Sequence, residues 1–286
     1  PVLNLRLKED NYPIWLEGLH CCGILEENDL KDRAVFVRMH NIEQDYYSAL
    51  AQQSSGWKRA FFLLESKKIA KYESILAHAT AIFAIQSKDV SYFKKLNQET
   101  FLLPAAFPLT EMENYETKDY HLFHGNLSVP ENEQAAIWII KNVIQHLPEE
   151  TFVIAGKDPS DKLKTLVQSF PNMKLFENPR DSEMNRLIGE AKNHLLYTHQ
   201  STGVKLKLIN VLQSNGHVIA NPKMVEGTTF GSFCRIAHSA EDYIRFIQNN
   251  AEPMSCTTRE RWKYLQEIRP ENALLKDVIP YLSRYL

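Results

Sequence analysis

The sequence is poor in the residues that build metal clusters and disulfide frameworks. Its 286 residues include only four cysteines, Cys21, Cys22, Cys234 and Cys256, and these lack the paired spacing of a zinc site. Cys21 and Cys22 are adjacent, which disfavours a disulfide between them. We therefore expect a reducing, cytoplasmic setting for the protein.

Long apolar runs and a strong net charge are also missing. No run approaches the roughly 20 residues that cross a membrane, and we expect no signal peptide. The formal net charge is −2, which excludes a general electrostatic attraction to nucleic acid. A hydrophobic content of 44% with 24% charged residues is typical of a soluble globular protein, and the length suffices for two domains.

Several catalytic motifs do not occur in the chain. We find no Gly-Xaa-Ser-Xaa-Gly elbow, no Walker loop and no His-Glu-Xaa-Xaa-His helix. These absences argue against a serine hydrolase of the elbow type, a P-loop nucleotidase and a zinc protease.

Short apolar strands alternate with amphipathic helices along the chain, which predicts a parallel α/β architecture. In the first part, the predicted strands are 13–16, 34–37, 81–85 and 101–103, with helices at 42–52 and 57–79. The second of these helices is predicted to bury an apolar face with interspersed lysines, formed by Phe61, Leu64, Ile69, Tyr72, Ile75 and Leu76.

The second part repeats the pattern more regularly, as expected of a complete Rossmann-like domain. Its predicted strands are 120–123, 152–155, 174–176, 194–197, 217–220 and 233–237. Its predicted helices are 132–146, 161–170, 182–191, 202–214 and 240–249, followed by terminal helices at 257–267 and 271–285. We place an N-terminal domain at 1–108, a linker at 109–118, a C-terminal domain at 119–255, and terminal helices at 256–286 that can pack back on the N-terminal domain.

The most informative segment covers residues 201–227. Ser201 and Thr202 are typical N-cap residues, and Gly203 permits close approach of a ligand to the backbone. The start of a helix attracts phosphate, and Lys205 and Lys207 add two positive charges there. An ordinary helix–strand unit with two solvated lysines is the alternative interpretation.

The same segment resembles the donor-binding helix of GT-B glycosyltransferases, specifically the retaining, family 4-like group that includes bacterial mannosyl- and glucosyltransferases. The matching positions are Gly203, Lys205, Lys207, 209–211, Gly216, 218–220 and the loop end Glu226-Gly227. Two positions depart from the family pattern, because Thr202 and Asn210 stand where the family has glutamates. Asn210 can still hydrogen-bond a hydroxyl group.

Further matches lie at predicted strand ends, where α/β sheets bind ligands. His40 matches a histidine that the family places near the reacting sugar, although a structural histidine beside a helix capped by Asn41 is the alternative. Gly125 and Asn126 resemble the family's cleft loop, with Asn132 as the expected N-cap of the next helix.

Another strand-end loop resembles the turn beside the nucleotide. Gly156 and Lys157 lie there, and Asp158 replaces a second glycine of the family pattern. Many family members also carry arginine and lysine in or after the Gly125 loop to clamp the pyrophosphate. This sequence has neither there, so the resemblance assigns that charge to Lys205 and Lys207.

The resemblance implies a GT-B fold, in which two Rossmann-like domains face each other across a cleft, with the N-terminal domain incomplete. It implies a retaining transferase that moves a hexosyl group, with mannosyl or glucosyl favoured, from a GDP- or UDP-sugar. His40 would be catalytic, and the donor would contact Gly125, Asn126, Gly156, Lys157, Thr202, Gly203, Lys205, Lys207, Asn210 and Glu226.

The acceptor implied by the resemblance is a polysaccharide, another glycan or a lipid-linked molecule, reached from the cytoplasm with peripheral contact at the inner face of the membrane left open. No cofactor or metal is expected, because the Asp-Xaa-Asp motif of metal-dependent GT-A enzymes is absent and GT-B enzymes use helix and side-chain charge instead. A sugar-nucleotide epimerase of the same fold and a non-catalytic sugar-nucleotide-binding subunit remain as alternatives.

Overall fold

The computed structural model describes residues 5–7, 9–26, 33–52, 54–110, 115–200, 206–249 and 257–285. These residues form two compact units. The first unit contains the described residues up to Ala106 and those from Ile268 onward, and the second contains those from Phe107 to Glu267.

The first unit is built on a parallel sheet of four strands. In spatial order these strands are β1 (Ile14–Glu17), β2 (Val35–Met39), β3 (Ala81–Ala84) and β4 (Thr100–Leu102). Every side chain of β3 is buried, because helices and chain segments cover both faces of the sheet. A parallel strand covered in this way has a continuous apolar sequence instead of alternating polar and apolar residues.

The helices of the first unit follow the strands in chain order. They are α1 (Glu43–Gln52), α2 (Gly56–Tyr72) and α3 (Ser87–Phe93), with 3₁₀ segments at Leu19–Glu26 and Glu73–His78. Near the C-terminus, α11 (Pro270–Ala273) and α12 (Ile279–Leu282) flank a π-helical segment, Leu274–Val278. Tyr281 of α12 is buried beside Phe36 and Phe83, so this C-terminal part of the described chain contributes to the core of the first unit.

The second unit contains a parallel sheet of six strands in the spatial order β10-β9-β8-β5-β6-β7. Their bounds are β5 (Lys118–Asn126), β6 (Phe152–Lys157), β7 (Met173–Glu177), β8 (Ala191–Leu196), β9 (His217–Ala220) and β10 (Arg235–Ile236).

Helices alternate with these strands, as expected of a doubly wound fold. They are α4 (Pro130–Asn142), α5 (Asp161–Gln168), α6 (Asp181–Glu190), α7 (Leu206–Leu212), α8 (Pro222–Val225), α9 (Ala240–Gln248) and α10 (Thr258–Glu267), with 3₁₀ segments at Ile144–His146 and Phe230–Phe233. Buried side chains of α4, α5 and α9 pack on one face of the sheet in a single apolar cluster.

The predicted burial of the long helix in the first part is only partly correct: Ile69 packs against the apolar core, but the other predicted residues of α2 are exposed. Helix α2 ends at Tyr72 and has no buried residue, and Phe61, Leu64 and Tyr72 are exposed. Ile75 and Leu76 are buried, but they belong to the following 3₁₀ segment. The reason is that α2 packs through a different stripe, since Ser66 donates from Oγ to the backbone oxygen of Gln44 in α1 at 2.9 Å.

Two predicted helix starts are also corrected. Helix α4 begins at Pro130 after Val129, so Asn132 lies inside its first turn and is not the N-cap. Proline at the first helical position has its backbone angle preset for a helix, which explains the earlier start. Asn41 does not cap α1 either, because the helix begins at Glu43 and the buried Asn41 Oδ1 has no hydrogen-bond partner.

Other differences concern short elements. The 3₁₀ segment Leu19–Glu26, helix α3 and helix α8 were not predicted. The predicted strand 233–237 shortens to β10, and the predicted helix 271–285 is interrupted by the π-helical segment. These elements are too short to carry a clear periodicity, so tertiary packing decides their conformation.

Candidate functional site

The order of strands in the second unit reverses between β5 and β8. From β5 the chain proceeds to β6 and β7 on one side, and from β8 to β9 and β10 on the other. Helices that leave β5 and β8 lie on opposite faces of such a sheet, which opens a crevice beyond the carboxyl ends of these two strands. The segments that follow Asn126 and Leu196 therefore border the expected ligand position.

Four predicted site residues meet at the carboxyl ends of β5 and β6. Gly125 pairs with Gly156, and Asn126 pairs with Lys157 in the parallel register. A side chain at Gly156 would collide with the backbone oxygen of Gly125 and with Leu127. Glycine is therefore required here to let the two strand ends approach each other.

Two non-glycine residues adopt the left-handed region, Asp158 directly after β6 and Asn178 directly after β7. Asp158 has a φ angle of 48° and Asn178 one of 49°. The Asn178 side-chain oxygen accepts a hydrogen bond from the Asp158 backbone N–H at 2.9 Å. Asp158 thus adopts the conformation that a glycine provides at low cost, which explains how the turn persists without the family's second glycine.

Lys207 lies close to the β5 loop through Asn132. The Lys207 ammonium donates to Asn132 Oδ1 at 3.2 Å, and Asn132 Nδ2 donates to the backbone oxygen of Asn126 at 2.9 Å. The same ammonium lies 5.7 Å from the centroid of the Phe123 ring. Asn132 therefore fixes a positive charge beside the end of β5, which is a suitable position for binding an anion.

His124 is buried directly before this loop. Neither ring nitrogen of His124 has a hydrogen-bond partner. Burial, followed by the positive charge of Lys207, lowers the pKa of His124 to about 3. The imidazole is therefore neutral at physiological pH, so the positive charge beside it is that of the Lys207 ammonium.

A carboxylate bridges the segments that follow β5 and β8. Glu131, in the first turn of α4, accepts hydrogen bonds from the Thr198 hydroxyl and from Gln200 Nε2, the latter at 2.5 Å. Thr198 and Gln200 are buried. These bonds hold the two loops at the strand-order reversal in a fixed relation, which preorganises the crevice.

Five further residues were predicted to contact the donor: Thr202, Gly203, Lys205, Asn210 and Glu226. Thr202, Gly203 and Lys205 lie outside the described residues. Asn210 lies half-buried within α7, and Glu226 is exposed directly after α8. The described contacts do not bring Asn210 or Glu226 to the Lys207–Asn132 pair.

His40 belongs to a polar cluster at the strand ends of the first unit. It follows β2, its side chain is 53% exposed, and its Nε2 lies 2.9 Å from Glu17 Oε2 at the end of β1. Trp15 Nε1 donates to Glu17 Oε1 at 2.8 Å, and Arg38 Nη1 lies 3.8 Å from the same oxygen. Burial raises the pKa of Glu17, but the bonds from His40 and Trp15 and the charge of Arg38 outweigh it and lower the pKa below its ordinary value.

Sequence reasoning missed three features of these sites. The sequence did not identify Glu17 as the partner of His40. It did not show that Glu131 links the segments after β5 and β8, or that Asn132 contacts Lys207. The pairing of Glu17 with Arg38 across β1 and β2 depends on the register of the sheet. The polar residues Glu131, Asn132 and Glu133 near the helix start indicated only a helix N-cap, not these contacts.

Neither a metal cluster nor a membrane-crossing helix was found in the described parts of the chain. Within those residues, no group of three or more histidine, cysteine, aspartate or glutamate side chains could hold a metal ion. Among the same residues, no helix has the length and apolar character required to cross a membrane.

We compared the chain with protein families, with known sequences and with solved structures. No family model matches the chain. A 44.6 kDa uncharacterized protein in the cps region of Klebsiella pneumoniae is 27% identical over 277 residues, which cover 88% of this chain and 68% of that protein.

Solved structures resemble the chain at low sequence identity. TarM superposes with a TM-score of 0.69 at 12% identity, covering 95% of this chain and 56% of TarM. The pneumococcal O-GlcNAc transferase GtfA, solved with UDP and GlcNAc, gives 0.63 at 12% identity, covering 96% of this chain and 58% of GtfA. Anabaena HepE with UDP gives 0.68 at 10% identity, covering 99% and 81%.

The chain therefore spans less than two thirds of the length of TarM and of GtfA. Each superposition covers at least 95% of this chain. The chain has the fold of the GT-B glycosyltransferases, as its sequence predicted.

Proposed function

We propose that the protein is a glycosyltransferase that moves a hexosyl group from a nucleotide-diphosphate sugar to a polysaccharide or other glycan acceptor. The observation that carries this proposal is the position of the Lys207 ammonium, held by Asn132 beside the end of β5 on a GT-B scaffold. Pyrophosphate is the part of such a donor that a fixed cation recognises.

We infer that the donor is a UDP-sugar. HepE has been solved with UDP-glucose, GtfA with UDP and GlcNAc, and a related trehalose-phosphate synthase is described as UDP-forming. We propose a glucosyl donor first, with mannosyl transfer and a GDP-sugar as the competing choices that the binding test must separate.

The chemistry requires stabilisation of the departing nucleotide. The bond between the sugar C1 and the phosphate oxygen breaks, and the acceptor hydroxyl forms the new bond to C1 while its proton passes to the departing phosphate oxygen. Lys207 would stabilise the negative charge that develops on the diphosphate. This kind of stabilisation does not require a metal ion. Lys205 would add a second charge according to the sequence resemblance.

Retention of configuration and the role of His40 are further parts of the proposal. His40 would hydrogen-bond the transferred sugar, with its ring oriented by Glu17 Oε2 at 2.9 Å. The resemblance implies transfer on the same face of the sugar without a protein nucleophile. Product NMR would show the same anomeric configuration in product and donor.

The acceptor and the location are proposed from the relatives. The relative in the Klebsiella pneumoniae cps region suggests a role in polysaccharide assembly. We therefore propose action in the cytoplasm on a growing glycan or a lipid-linked acceptor.

The test is calorimetric titration of the protein with UDP, GDP and their glucose and mannose conjugates. We expect saturable binding that prefers one base. Replacing Lys207→Met should weaken that binding about ten- to hundredfold, because a hydrogen bond to a charged group is worth roughly 1.5–3 kcal/mol. The matched control is Lys141→Met in the last turn of α4, an exposed lysine at the opposite end of that helix from Asn132, which should bind as the unaltered protein does.

The outcomes separate the proposal from its alternatives. Equal affinity of the Lys207→Met and unaltered proteins would remove Lys207 from the donor site, and binding of none of the nucleotides would overturn the proposal. Conversion of the donor sugar without any acceptor would identify an epimerase. Donor binding without transfer or hydrolysis would favour a non-catalytic subunit, which the absence of glutamates at Thr202 and Asn210 makes a specific rival.

A further inference from the structure

The outward face of helix α2 carries large apolar side chains that the described residues of the protein leave exposed. Trp57 is 76% exposed, Leu64 is 59% exposed and Phe61 is 48% exposed, and Leu63 is exposed beside them. The helix has 17 residues and none of them is buried. Exposed clusters of this kind mark interaction sites more often than scattered single residues do.

The opposite stripe of α2 already makes the contacts that hold the helix on the unit. Phe62 packs its ring 6.3 Å from that of Tyr47 in α1, Ser66 bonds the backbone oxygen of Gln44, and Ile69 packs against the apolar core. The outward residues therefore cannot enter the core of the first unit without releasing these contacts. These residues are exposed because α2 contacts the rest of the unit through its opposite stripe.

The charge of α2 is strongly positive although the whole chain is nearly neutral. The helix carries five basic side chains, Lys58, Arg59, Lys67, Lys68 and Lys71, against one acidic side chain, Glu65. The single acid is held by Lys68, with 2.7 Å between the ammonium and Glu65 Oε1. With a chain net charge of −2, this helix concentrates positive charge on one surface.

The apolar and basic side chains share one stripe. Trp57, Phe61, Leu64, Lys68 and Lys71 follow each other at steps of four, three, four and three residues, so they line a single face of the helix. Aromatic and leucine side chains occupy the N-terminal half, and lysines occupy the C-terminal half. Lysine stems can also lie along an apolar surface while their ammonium groups reach outward.

We propose that the outward face of α2 docks the protein on a bilayer of anionic phospholipids. Trp57, Phe61 and Leu64 enter the boundary between headgroups and acyl chains, and the lysines contact the lipid phosphates. A helix lying in the interface combines these two chemistries on one side. Docking here would bring the protein to the surface where lipid-linked substrates are found.

Two other occupants fit the surface less well. A second copy packed through α2 in a symmetric contact would bring five basic side chains against five others, which is repulsive. A nucleic acid would pair with the lysines, but its phosphates would leave Leu63 and Leu64 without a favourable contact. A lipid bilayer satisfies both the charge and the apolar groups.

Vesicle flotation tests this assignment without any nucleotide or acceptor. The unaltered protein should float with phosphatidylcholine vesicles that contain phosphatidylglycerol, less so as salt is raised, and not with phosphatidylcholine alone. Lys68→Gln/Lys71→Gln should weaken binding roughly 25-fold, at about fivefold per lysine. Trp57→Ser/Phe61→Ser should weaken it roughly tenfold or more per side chain.

Matched controls lie away from α2. Tyr12→Ser removes an exposed aromatic ring from a loop, and Lys162→Gln/Lys174→Gln removes two exposed lysines from the second unit, so both should bind vesicles as the unaltered protein does. Circular dichroism verifies that each variant is folded.

Three outcomes would overturn the assignment: no flotation with anionic vesicles at low salt, unchanged flotation of the α2 variants, or a dimer in solution that Trp57→Ser/Phe61→Ser dissociates. The last outcome would assign the face to a second copy. Because the assay uses no donor, its failure leaves the proposed transferase function untouched, and failure of donor binding leaves the docking surface untouched.

Discussion

Asp158 shows how a single residue can replace a glycine at a strand end. Its φ angle of 48° lies in the left-handed region, where most side chains crowd the following carbonyl. Aspartate and asparagine tolerate this region better than other non-glycine residues because their short polar side chains bond locally. The bond from the Asp158 N–H to Asn178 Oδ1 further stabilises the turn.

This conformation predicts a graded mutation series at Asp158. Asp158→Gly should change the free energy of unfolding little, because relief of the left-handed strain offsets the added freedom of the unfolded chain. Asp158→Val should lower it by about 1–2 kcal/mol, since a β-branched side chain fits this region poorly. Urea denaturation of the three proteins measures the difference. Equal stability of the valine and glycine variants would show that the turn relaxes to another conformation.

His124 predicts a pH dependence of stability. Its pKa is about 3 in the folded protein because burial and then Lys207 oppose its charge, whereas an unfolded chain has the ordinary value near 6.5. Between these values the unfolded state binds the extra proton, so the contribution to stability is lost progressively as the pH falls from about 6.5 towards 3. His121 and His194 act in the same direction, because burial also lowers the pKa of each.

Denaturation curves recorded from pH 7 to pH 4 test this dependence. His124→Leu should reduce the slope of unfolding free energy against pH by up to about 1.4 kcal/mol per pH unit, the value for one proton. His78→Gln, at an exposed position, provides the control variant. An unchanged slope in His124→Leu would mean that His124 is accessible to protons in the folded state.

At the residue scale, the sequence predicted that the loops after β5 and β6 follow strand ends, but it missed how side chains connect the neighbouring segments. The structure brings Gly125, Asn126, Gly156 and Lys157 together, because the carboxyl ends of neighbouring parallel strands share one edge of a sheet. The contact between Asn132 and Lys207 was missed, because α4 begins two residues earlier than the capping pattern indicated. Proline at the helix start outweighed the asparagine cap.

At the scale of elements, a buried arginine connects α10 to the turn between α7 and β9. Arg261 is almost completely buried, and its Nη2 donates to the backbone oxygen of Ser214 at 2.8 Å. Its Nη1 donates to the backbone oxygen of Gly216 at 3.2 Å. These carbonyls lie at the end of the segment that resembles the donor helix, so Arg261 secures the far end of that segment.

Removing the Arg261 guanidinium should lower the free energy of unfolding. Arg261→Ala removes the charge-assisted bonds to Ser214 and Gly216 and leaves those buried carbonyls without the guanidinium, and we expect a loss of about 3 kcal/mol in the free energy of unfolding. Arg261→Lys should recover only part of it, because an ammonium cannot reproduce the planar fork. Arg259→Ala on the same helix is exposed and should have little effect in the same urea titration. A loss of less than 1 kcal/mol in Arg261→Ala would show that water replaces the guanidinium.

Periodicity predicted the existence of α2 but not the face that it buries. Phe61 and Leu64 follow a helical repeat, and so do Phe62 and Ile69 on the other side. A helix with apolar residues on two stripes gives no preference from sequence alone, and packing against α1 selects the stripe with Phe62. The other stripe, with Phe61 and Leu64, therefore stays exposed.

At the scale of the whole molecule, alternating strands and helices predicted two parallel sheets, but the strand order required the structure. The reversal between β5 and β8 depends on which side of the sheet each crossover takes, and a single sequence does not record that choice. The part of the donor segment at 201–205 lies outside the described residues, so the predicted contributions of Thr202, Gly203 and Lys205 stay predictions.

The C-terminal segment belongs to the first unit although more than 150 residues of the second unit separate it from β4 along the chain. Tyr281 of α12 packs its ring 4.5 Å from that of Phe101 and 6.4 Å from that of Phe36. Its hydroxyl donates to the backbone oxygen of Thr80 at 3.3 Å. Two passes of the chain therefore build one core, and the stability of the first unit depends on both.

This arrangement predicts that damage at the C-terminus appears in the first unit alone. Tyr281→Ala removes a large buried aromatic ring and should cost about 3–5 kcal/mol, with the loss confined to the sheet it covers. Hydrogen exchange should accelerate at the backbone amides of β2 and β3, while the amides of β5 and β6 keep their protection. Tyr285→Ala, which removes a more exposed ring from the same segment, should have a smaller effect. Equal acceleration in both sheets would mean that the two units unfold as one cooperative body.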